Sequence, residues 1–378
     1  MEKVLVVGSN TRPVASSFKK LGYTVYAVDY FYTADLIEAS DYRRSVLSPD
    51  PYLSSGNFAE DFQPSLLKDA ADEFVDEVDF IICTSGASPE DFPGDKILGN
   101  KHTAPVEDKY KLYKRLNGDF KVPETYLVSN VHEAIEVGLH NPEKRFLLKP
   151  LSGSGGVGIM NLDDADETCD MGEALLQEII EGVSVSASVM AGEEGAQTIL
   201  TSRQIIGDVE LGQLEPYGYC GNLAPYPLPH EVGLIAEEVV ETLKLTGSNG
   251  VDMIRSHDET YVIEVNPRFQ GTFECAEACL GLNMAEAHMK MCMGGNFNVP
   301  KPKNFAVKKI IFAKERSLTE RMDFQGVYDK PPVKTVVERG EPVSTVVSWD
   351  KILENATISA DETVKRVYSS LIPFNSTC

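Results

Sequence analysis

The chain has 378 residues, 42% of them hydrophobic and 25% charged, which is typical of a globular protein with a sizeable core. Its formal net charge of -23 disfavours nucleic acids and anionic membranes as partners, because both attract basic surfaces. No apolar run approaches the roughly 20 residues of a membrane helix, and the opening MEKVLVVG enters a strand pattern without a secretory signal, so we expect a cytoplasmic protein.

The first hundred residues alternate between apolar strands and a helix. Strands are predicted at residues 3–8, 23–29 and 78–84, with a helix at 12–21 after the first. This order favours a right-handed βαβ unit in a parallel sheet. The turn GSNTRP has one glycine where a dinucleotide fingerprint has three, so it does not favour NAD or FAD. We predict a Rossmann-like N-terminal domain over residues 1–105.

A basic helix and a strand that ends in lysine follow. The segment 108–117, DKYKLYKRLN, predicts a short helix with an acidic N-cap, and taken alone its cations favour a solvated face. A strand at 122–128, a helix at 131–139 and a strand at 145–149 come next. The last of these strands places Lys149 directly before a proline and a glycine-rich loop.

Four of the seven residues from Ser152 to Gly158 are glycines. Glycine at this density suits a backbone that approaches a ligand closely, and its N–H groups can form a nest for phosphates. The alternative is that this segment is a flexible hairpin tip. It does not match the P-loop motif, because no Lys-Ser or Lys-Thr pair follows the glycines. Because Lys149 stands immediately before the loop, we favour a phosphate-binding lid.

The middle of the chain is predicted to continue with short elements of both kinds. A helix at 173–178 runs into a strand at 183–189, and the backbone of the helix-to-strand junction at 177–181 is exposed enough to pair with an adenine edge. The further predictions are strands at 197–206 and 208–214, an irregular aromatic substrate loop at 217–229, and a helix at 231–244.

Two apolar runs on either side of a polar turn predict a hairpin between residues 251 and 265. Asp252 lies in its first strand, whereas Glu264 and Asn266 lie two apart on the second and therefore share one face. Two carboxylates and an amide, with no His or Cys nearby, form a hard-oxygen donor set that suits magnesium rather than zinc. Arg268 continues the same row.

The C-terminal part is predicted to be rich in strands. The expected elements are helices at 271–284 and 285–293, a strand at 305–315, two strands around a tight turn in VKTVVERGEPVSTVVSWD, and a last helix at 361–371.

The order of these features resembles the ATP-grasp superfamily, in its carboxylate–amine ligase branch. The DK pair, LLKP, the glycine loop, the junction and EVNPR follow one another as in that family, across about residues 105 to 290. The resemblance implies two α+β subdomains that hold ATP between antiparallel sheets, after an N-terminal parallel-sheet domain. We expect domains at 1–105, 106–182 with the lid, 183–300 with the magnesium site, and a β-rich region at 301–378.

The resemblance also implies a role for each matching residue. Lys109 and Lys149 would contact the α- and β-phosphates, and Arg268 would steady the acyl phosphate or the substrate carboxylate, so that Arg268 and Lys149 are the expected catalytic residues. The lid would consist of Ser152, Gly153, Ser154, Gly155, Gly156, Val157 and Gly158. The adenine segment would be Glu178, Ile179, Ile180 and Glu181. Asp252, Glu264 and Asn266 would hold one or two Mg²⁺ ions, or Mn²⁺ in their place.

One position departs from the family pattern. Many members have an acidic residue two places after the junction glycine, where it contacts the ribose hydroxyls, and this chain has Ser184 there. Either Glu181 or another group takes that role, or the selectivity for ribose is relaxed.

The implied activity is an ATP-dependent ligase that joins a carboxylate to an amine through an acyl phosphate and releases ADP and phosphate. Two alternatives stay open: a carboxylase-type enzyme that makes carboxyphosphate, and a nucleotide-binding protein without turnover. The implied partners are a small carboxylic acid and an amine, without nucleic acid or membrane, and the family suggests a homodimer.

Overall fold

Four β-sheets organise the chain, which a computed structural model describes over residues 2–48, 50–54, 56, 62–151, 153, 155–166, 171–257 and 259–375. The strands are β1 Lys3–Gly8, β2 Thr24–Asp29, β3 Tyr42–Ser45, β4 Phe80–Cys83, β5 Thr125–Val128, β6 Phe146–Pro150, β7 Met160–Asn161, β8 Ala174–Glu178, β9 Val183–Gly192, β10 Gly195–Ile206, β11 Tyr219–Ala224, β12 Gly247–Ser256, β13 Glu259–Asn266, β14 Phe305–Phe312, β15 Ser317–Thr319, β16 Val327–Tyr328, β17 Val336–Val337, β18 Pro342–Asp350 and β19 Leu371–Pro373. The α-helices are α1 Arg12–Lys20, α2 Leu36–Ala39, α3 Ser65–Val75, α4 Ala104–Glu107, α5 Lys109–Leu116, α6 Val131–His140, α7 His230–Thr242, α8 Phe273–Leu280, α9 Met284–Cys292 and α10 Leu353–Tyr368.

The N-terminal sheet is parallel, with strand order β3-β2-β1-β4. Strand β1 is covered on both faces: Val4 and Val6 pack in the cluster that contains Phe18 of α1, whereas Leu5 and Val7 pack with Leu67 of α3. Burial on both faces explains the uninterrupted apolar run in β1. The predicted parallel-sheet domain is confirmed.

The second sheet is antiparallel, with order β5-β8-β6-β7. Its strand β8 corrects the sequence prediction, which placed a helix at 173–178. β8 pairs with β5 on one side and β6 on the other, and Leu175 and Leu176 are both fully buried. Pairing on both sides overrides the helical preference of a short apolar segment. The junction at 177–181 therefore joins two strands rather than a helix and a strand.

The third sheet is antiparallel, eight-stranded and has the order β13-β12-β9-β10-β11-β14-β18-β16. Two predictions along it were wrong. The strand expected at 208–214 is a 3-10 turn at Val209–Leu211, where the Asp208 side chain accepts a hydrogen bond from the Glu210 N–H. The loop expected at 217–229 contains β11, which is extended because both β10 and β14 pair with it. β14 begins after residue 300 and belongs to this sheet, so the sheet extends past the boundary that was predicted at residue 300. The domain boundaries stay predictions.

The C-terminal part differs from its prediction in two ways. The strands β17 and β18 exist, but they do not form a hairpin, because β17 pairs with β15 in a small three-stranded sheet and β18 pairs with β14 in the large one. The last helix begins at Leu353, eight positions before the predicted start. Its buried residues Ala356, Ala360, Val364 and Val367 follow helical spacing, so packing against β14 and β18 extends it.

Across the described residues, no helix is both long enough and apolar enough to cross a membrane.

Candidate nucleotide and metal site

The hairpin of β12 and β13 brings its three polar side chains together as predicted. Asp252 lies opposite Glu264 in the strand register, and Nδ2 of Asn266 donates a hydrogen bond to Oδ2 of Asp252 at 3.0 Å. Burial, followed by the negative charge of Glu264, raises the pKa of Asp252 to about 6. A bound cation would offset both effects. Two carboxylates and an amide oxygen on neighbouring strands therefore fit a hard divalent ion.

Both predicted lysines face this hairpin. Nζ of Lys109 lies 4.0 Å from Oε1 of Glu264. Lys149 is buried at the end of β6, where its Nζ donates a hydrogen bond to Oε1 of Gln177 at 2.5 Å. Gln177 is itself held by a hydrogen bond from its Nε2 to Oγ1 of Thr125. Lys149 is thereby fixed from one side by the neighbouring strands β8 and β5.

The electrostatics of Lys149 indicate a site prepared for an anion. Burial lowers the pKa of Lys149, the charge of Glu264 partly offsets this, and the positive charge of Lys109 adds to the lowering, so that the pKa is about 8. In the absence of a ligand, the two lysines repel each other beside a single counter-charge, that of Glu264. Phosphate oxygens would relieve that repulsion.

A narrow cleft lies between the antiparallel sheet of β5 to β8 and the β12–β13 hairpin. It is lined by Lys109, Leu112, Tyr113, Leu116, Val122, Lys149, Leu175, Gln177, Val262 and Ile263. Both lysines stand in this mainly apolar lining, so positive charge lies beside apolar surface there.

The predicted adenine segment lies after β8. The N–H groups of Glu178 and Ile179 donate to the carbonyls of Glu124 and Arg145, at 2.8 and 2.7 Å, and so belong to the framework. The Ile180 N–H makes no backbone hydrogen bond within the described part of the chain. Glu181 projects to the surface, where its side chain is 87% exposed. The Ile180 N–H is therefore a backbone donor in this segment that a purine edge could use.

The glycine loop rests against the start of β11. The carbonyl of Gly153 accepts a hydrogen bond from Nζ of Lys109 at 2.6 Å, and the carbonyl of Gly155 accepts one from the Tyr219 N–H at 3.0 Å. Gly156 has a φ of +79°, and a Cβ there would lie 1.9 Å from the Tyr217 carbonyl oxygen. The proposed lid residues Ser152 and Ser154 lie outside the described residues.

Arg268 lies just beyond the hairpin and is held from one side. One of its terminal nitrogens, Nη1, is 3.3 Å from Oε1 of Glu107 in α4. Its Nε is buried and has no hydrogen-bond partner among the described residues. The positive charge of Arg268 partly opposes the rise in the pKa of Asp252. Arg268 is thus a cation next to the hairpin with one donor unpaired among the described residues, and this arrangement suits the binding of a second anionic group.

Sequence reasoning did not identify the residues that hold the site in place. It missed Glu107 beside Arg268 and the role of Gln177 beside Lys149. It also missed Gly250, where a Cβ would lie 1.7 Å from Oε1 of Gln270. A glycine inside a strand, two places before a predicted metal ligand, was the available signal, because such a glycine marks a close approach of another group.

Comparison with known proteins identifies the family. A model of the ATP-grasp domain matches residues 106–272. An uncharacterized protein of Methanocaldococcus jannaschii is 34% identical over 93% of this chain and 89% of its own length. The chain belongs to the ATP-grasp superfamily. This ATP-grasp chain is also 29% identical to a tyramine–L-glutamate ligase of Methanocaldococcus fervens, over 44% of this chain and 46% of that protein.

The ATP-grasp fold extends over nearly the whole chain. The solved structure of carboxyaminoimidazole ribonucleotide synthase from Aspergillus clavatus, complexed with ATP, superposes with a TM-score of 0.70 at 13% identity and covers 97% of this chain and 99% of that one. The predicted membership and fold class are confirmed, and so is the prediction of an ATP-dependent ligase at the level of the ATP-grasp family. The individual roles of the site residues stay predictions.

Proposed function

We propose that this protein is an ATP-dependent ligase that joins a small carboxylic acid to an amine and releases ADP and phosphate. The printed activity of the tyramine–L-glutamate ligase, which names an amine and a carboxylic acid, supports this class. The observation that carries the proposal is the convergence of Lys109 and Lys149 on the carboxylates of the β12–β13 hairpin. That arrangement places two cations beside a hard-metal donor set.

The residues of the hairpin would bind the metal of the nucleotide. Asp252, Glu264 and Asn266 would hold Mg²⁺, or Mn²⁺ in its place, and the ion would neutralise charge on the phosphates. Lys109 of α5 and Lys149 of β6 would contact the phosphates from the side that faces the hairpin. In phosphoryl transfer the protein contributes mainly position and charge, and this set of residues supplies both.

The proposed reaction has two steps. In the first, a carboxylate oxygen of the acid attacks the γ-phosphorus, the bond to the bridging oxygen breaks, and ADP leaves. In the second, the amine nitrogen attacks the acyl carbon, the bond from that carbon to the phosphate oxygen breaks, phosphate leaves and the nitrogen loses a proton. Arg268, whose Nε has no partner among the described residues, would hold the acid and the acyl phosphate.

The glycine lid would protect the acyl phosphate from water. The hydrogen bond from Lys109 to the Gly153 carbonyl uses a donor that phosphate oxygens would take over. Nucleotide binding would then release this end of the lid, and closure would exclude water from the intermediate.

The test is ADP release by the purified protein. With Mg²⁺ and ATP, a panel of acids combined with a panel of amines should give ADP and phosphate only when one of each is present. A requirement for bicarbonate would favour the carboxylase alternative, and nucleotide binding without ADP release across the panel would favour the protein without turnover. Small-molecule partners, a homodimer and a cytoplasmic location belong to the same proposal.

A further inference from the structure

A second cavity, of about 200 Å³, lies between the N-terminal sheet and the C-terminal strands. The loops after β1 and β2 form one wall, and β14, β17, β18 and the segment around residue 330 form the other. Four acidic residues line it: Asp29, Asp329, Glu338 and Glu341. Among its described lining residues there is no lysine, arginine or histidine.

Unpartnered oxygen atoms are concentrated in this cavity. Of the eight buried side-chain atoms that lack a hydrogen-bond partner among the described residues, five belong to its lining. These five are Asn10 Oδ1, Asp29 Oδ1, Thr33 Oγ1, Asp329 Oδ2 and Ser344 Oγ. Asp29 is 1% exposed and Ser344 is 3% exposed. Buried polar atoms are normally paired, so this concentration of unpaired oxygens around one space suits a ligand that is rich in hydrogen-bond donors.

The ion pairs behind the cavity wall contain more acid than base. Arg12 contacts Asp329 and Glu274, each at 2.7 Å, and lies 3.6 Å from Asp35. Lys308 contacts Glu274 at 2.9 Å. The cations Arg12 and Lys308 therefore face three carboxyl groups, and Asp29 in the cavity wall is a fourth. The cluster therefore has more acidic than basic side chains, and it is buried.

The titration of the neighbouring acids reflects this excess. Burial and the charge of Asp329 raise the pKa of Asp29 to about 8, and the same two causes raise the pKa of Asp35. A positive group in the cavity would stabilise the ionised form of Asp29.

The remaining lining is mostly apolar. Its members include Phe31, Leu47, Ile310, Pro331 and Val336. A hydrated metal ion would leave these surfaces without contacts, whereas an organic cation would cover them while presenting N–H donors to the oxygens.

We propose that this cavity binds the amine substrate of the ligase as an organic ammonium ion with an apolar body. The inference rests on the proposed function. Arg12 contacts Asp329, which lines the cavity, and Glu274 at the start of α8, the helix that follows Arg268 in the chain. Since no described lining residue is basic, the structure disfavours a phosphorylated amine and so restricts the substrate class.

Calorimetric binding at pH 7.5 without nucleotide tests the inference apart from turnover. The probes are 2-phenylethylamine, hexylamine and 1,4-diaminobutane, with 2-phenylethanol and 3-phenylpropionate as neutral and anionic counterparts of the first. At least one amine should bind, and 2-phenylethanol and 3-phenylpropionate should bind at least about tenfold more weakly. Equal binding of the alcohol, or the absence of binding by all three amines, would overturn the inference.

Two variants locate the binding. In Asp29→Asn, the amide oxygen can keep the hydrogen bonds that Oδ2 accepts from Thr11, while the atom facing the cavity changes from acceptor to donor. Ser344→Ala removes an unpaired hydroxyl. Both should weaken amine binding about tenfold or more, whereas the control Ser202→Ala, which removes an equally unpaired buried hydroxyl outside the cavity, should not. Thermal unfolding and ATP binding show whether each variant is folded.

The outcomes separate the two proposals. Amine binding that depends on Asp29 and Ser344, without any ADP release, would keep this inference and contradict the ligase. ADP release with an unchanged KM for the amine in both variants would keep the ligase and overturn the inference. Tight binding of O-phosphoethanolamine, or saturation of the cavity by KCl or MgCl₂ alone, would also overturn it.

Discussion

Asn266 donates a hydrogen bond from Nδ2 to Oδ2 of Asp252 at 3.0 Å, across the open end of the β12–β13 hairpin. This bond orients the amide, whose carbonyl oxygen has no hydrogen-bond partner within the described part of the chain and could contact a cation beside Asp252. Glu264 lies opposite Asp252 in the same register. The hairpin thus presents three oxygen-bearing side chains without any rearrangement of the backbone.

Glu264→Gln should remove ADP release while leaving the fold intact. The substitution replaces a carboxylate with a neutral amide and so removes the negative charge that would face the metal and Lys109. We therefore expect kcat to fall by about 100-fold or more. The matched control is Glu259→Gln on the same strand, because Glu259 is exposed and pairs with Lys121. Both variants should unfold within a few degrees of the parent protein. Parent-level turnover in Glu264→Gln would contradict the assignment of the metal site.

Lys149 should make ATP binding depend on pH. Its pKa in the folded protein, about 8, is below the ordinary value of 10.5, so its charged form costs stability below pH 8, and that cost is relieved as the pH rises from 8 to 10.5. Bound phosphates favour the charged form, so binding above pH 8 must take up a proton. We expect ATP affinity to fall as the pH rises from 7.5 to 9.

The Lys149 prediction has two comparison variants. Lys149→Met should bind ATP more weakly and should lose the pH dependence, whereas Lys111→Met, on the exposed side of α5, should behave like the parent protein. Calorimetry in buffers of different ionisation enthalpy measures the proton uptake directly. The same uptake in Lys149→Met and in the parent would assign it to another group.

Gly156→Ala should impair the lid more than Gly155→Ala does. Both glycines have positive φ, at +79° and +72°, so each alanine costs about 1 kcal/mol of backbone strain. Only the Cβ at 156 also meets the Tyr217 carbonyl oxygen, at 1.9 Å, whereas the Cβ at 155 meets nothing within 4 Å. ADP release should therefore fall further in Gly156→Ala. Equal losses in the two variants would show that strain alone, and not the contact with Tyr217, is responsible.

Arg268→Lys should raise the KM for the carboxylic acid. Lysine keeps the charge but loses the planar set of donors, one of which contacts Glu107 while Nε stays unpaired among the described residues. We expect an increase of about tenfold in KM with ATP affinity unchanged. Arg255→Lys is the control, because Arg255 lies on β12 of the same hairpin and pairs with Glu231 of α7, away from the proposed acid position. An unchanged KM together with weaker ATP binding would move Arg268 to the nucleotide.

Local patterns in the chain were enough for several elements. The β1–α1–β2 unit and the β12–β13 hairpin follow directly from apolar runs between turns, because their period and length are properties of adjacent residues. The residues from Asp252 to Arg268 likewise contribute to the resemblance to the ATP-grasp superfamily. These features depend on neighbours along the chain, so they can be predicted without knowing the rest of the fold.

Other elements depended on partners far away in the chain. β8 was predicted as a helix and β11 as a loop, and each is a strand because two other strands pair with it. Hydrogen-bond partners on both sides decide the state of a short apolar segment, and its own residues do not name those partners.

The amino-acid pattern alone was sufficient for the resemblance to the family, and through that resemblance it predicted the metal donors and the two phosphate-binding lysines, whose roles stay predictions. Tertiary structure alone decided that Gln177 holds Lys149, that Gly156 rests on Tyr217, and that Arg12 is buried against Asp329. Arg12 and Asp329 are 317 positions apart. Contacts at such separations form only when sheets and helices pack, and this packing also encloses the acidic cavity beside Asp29.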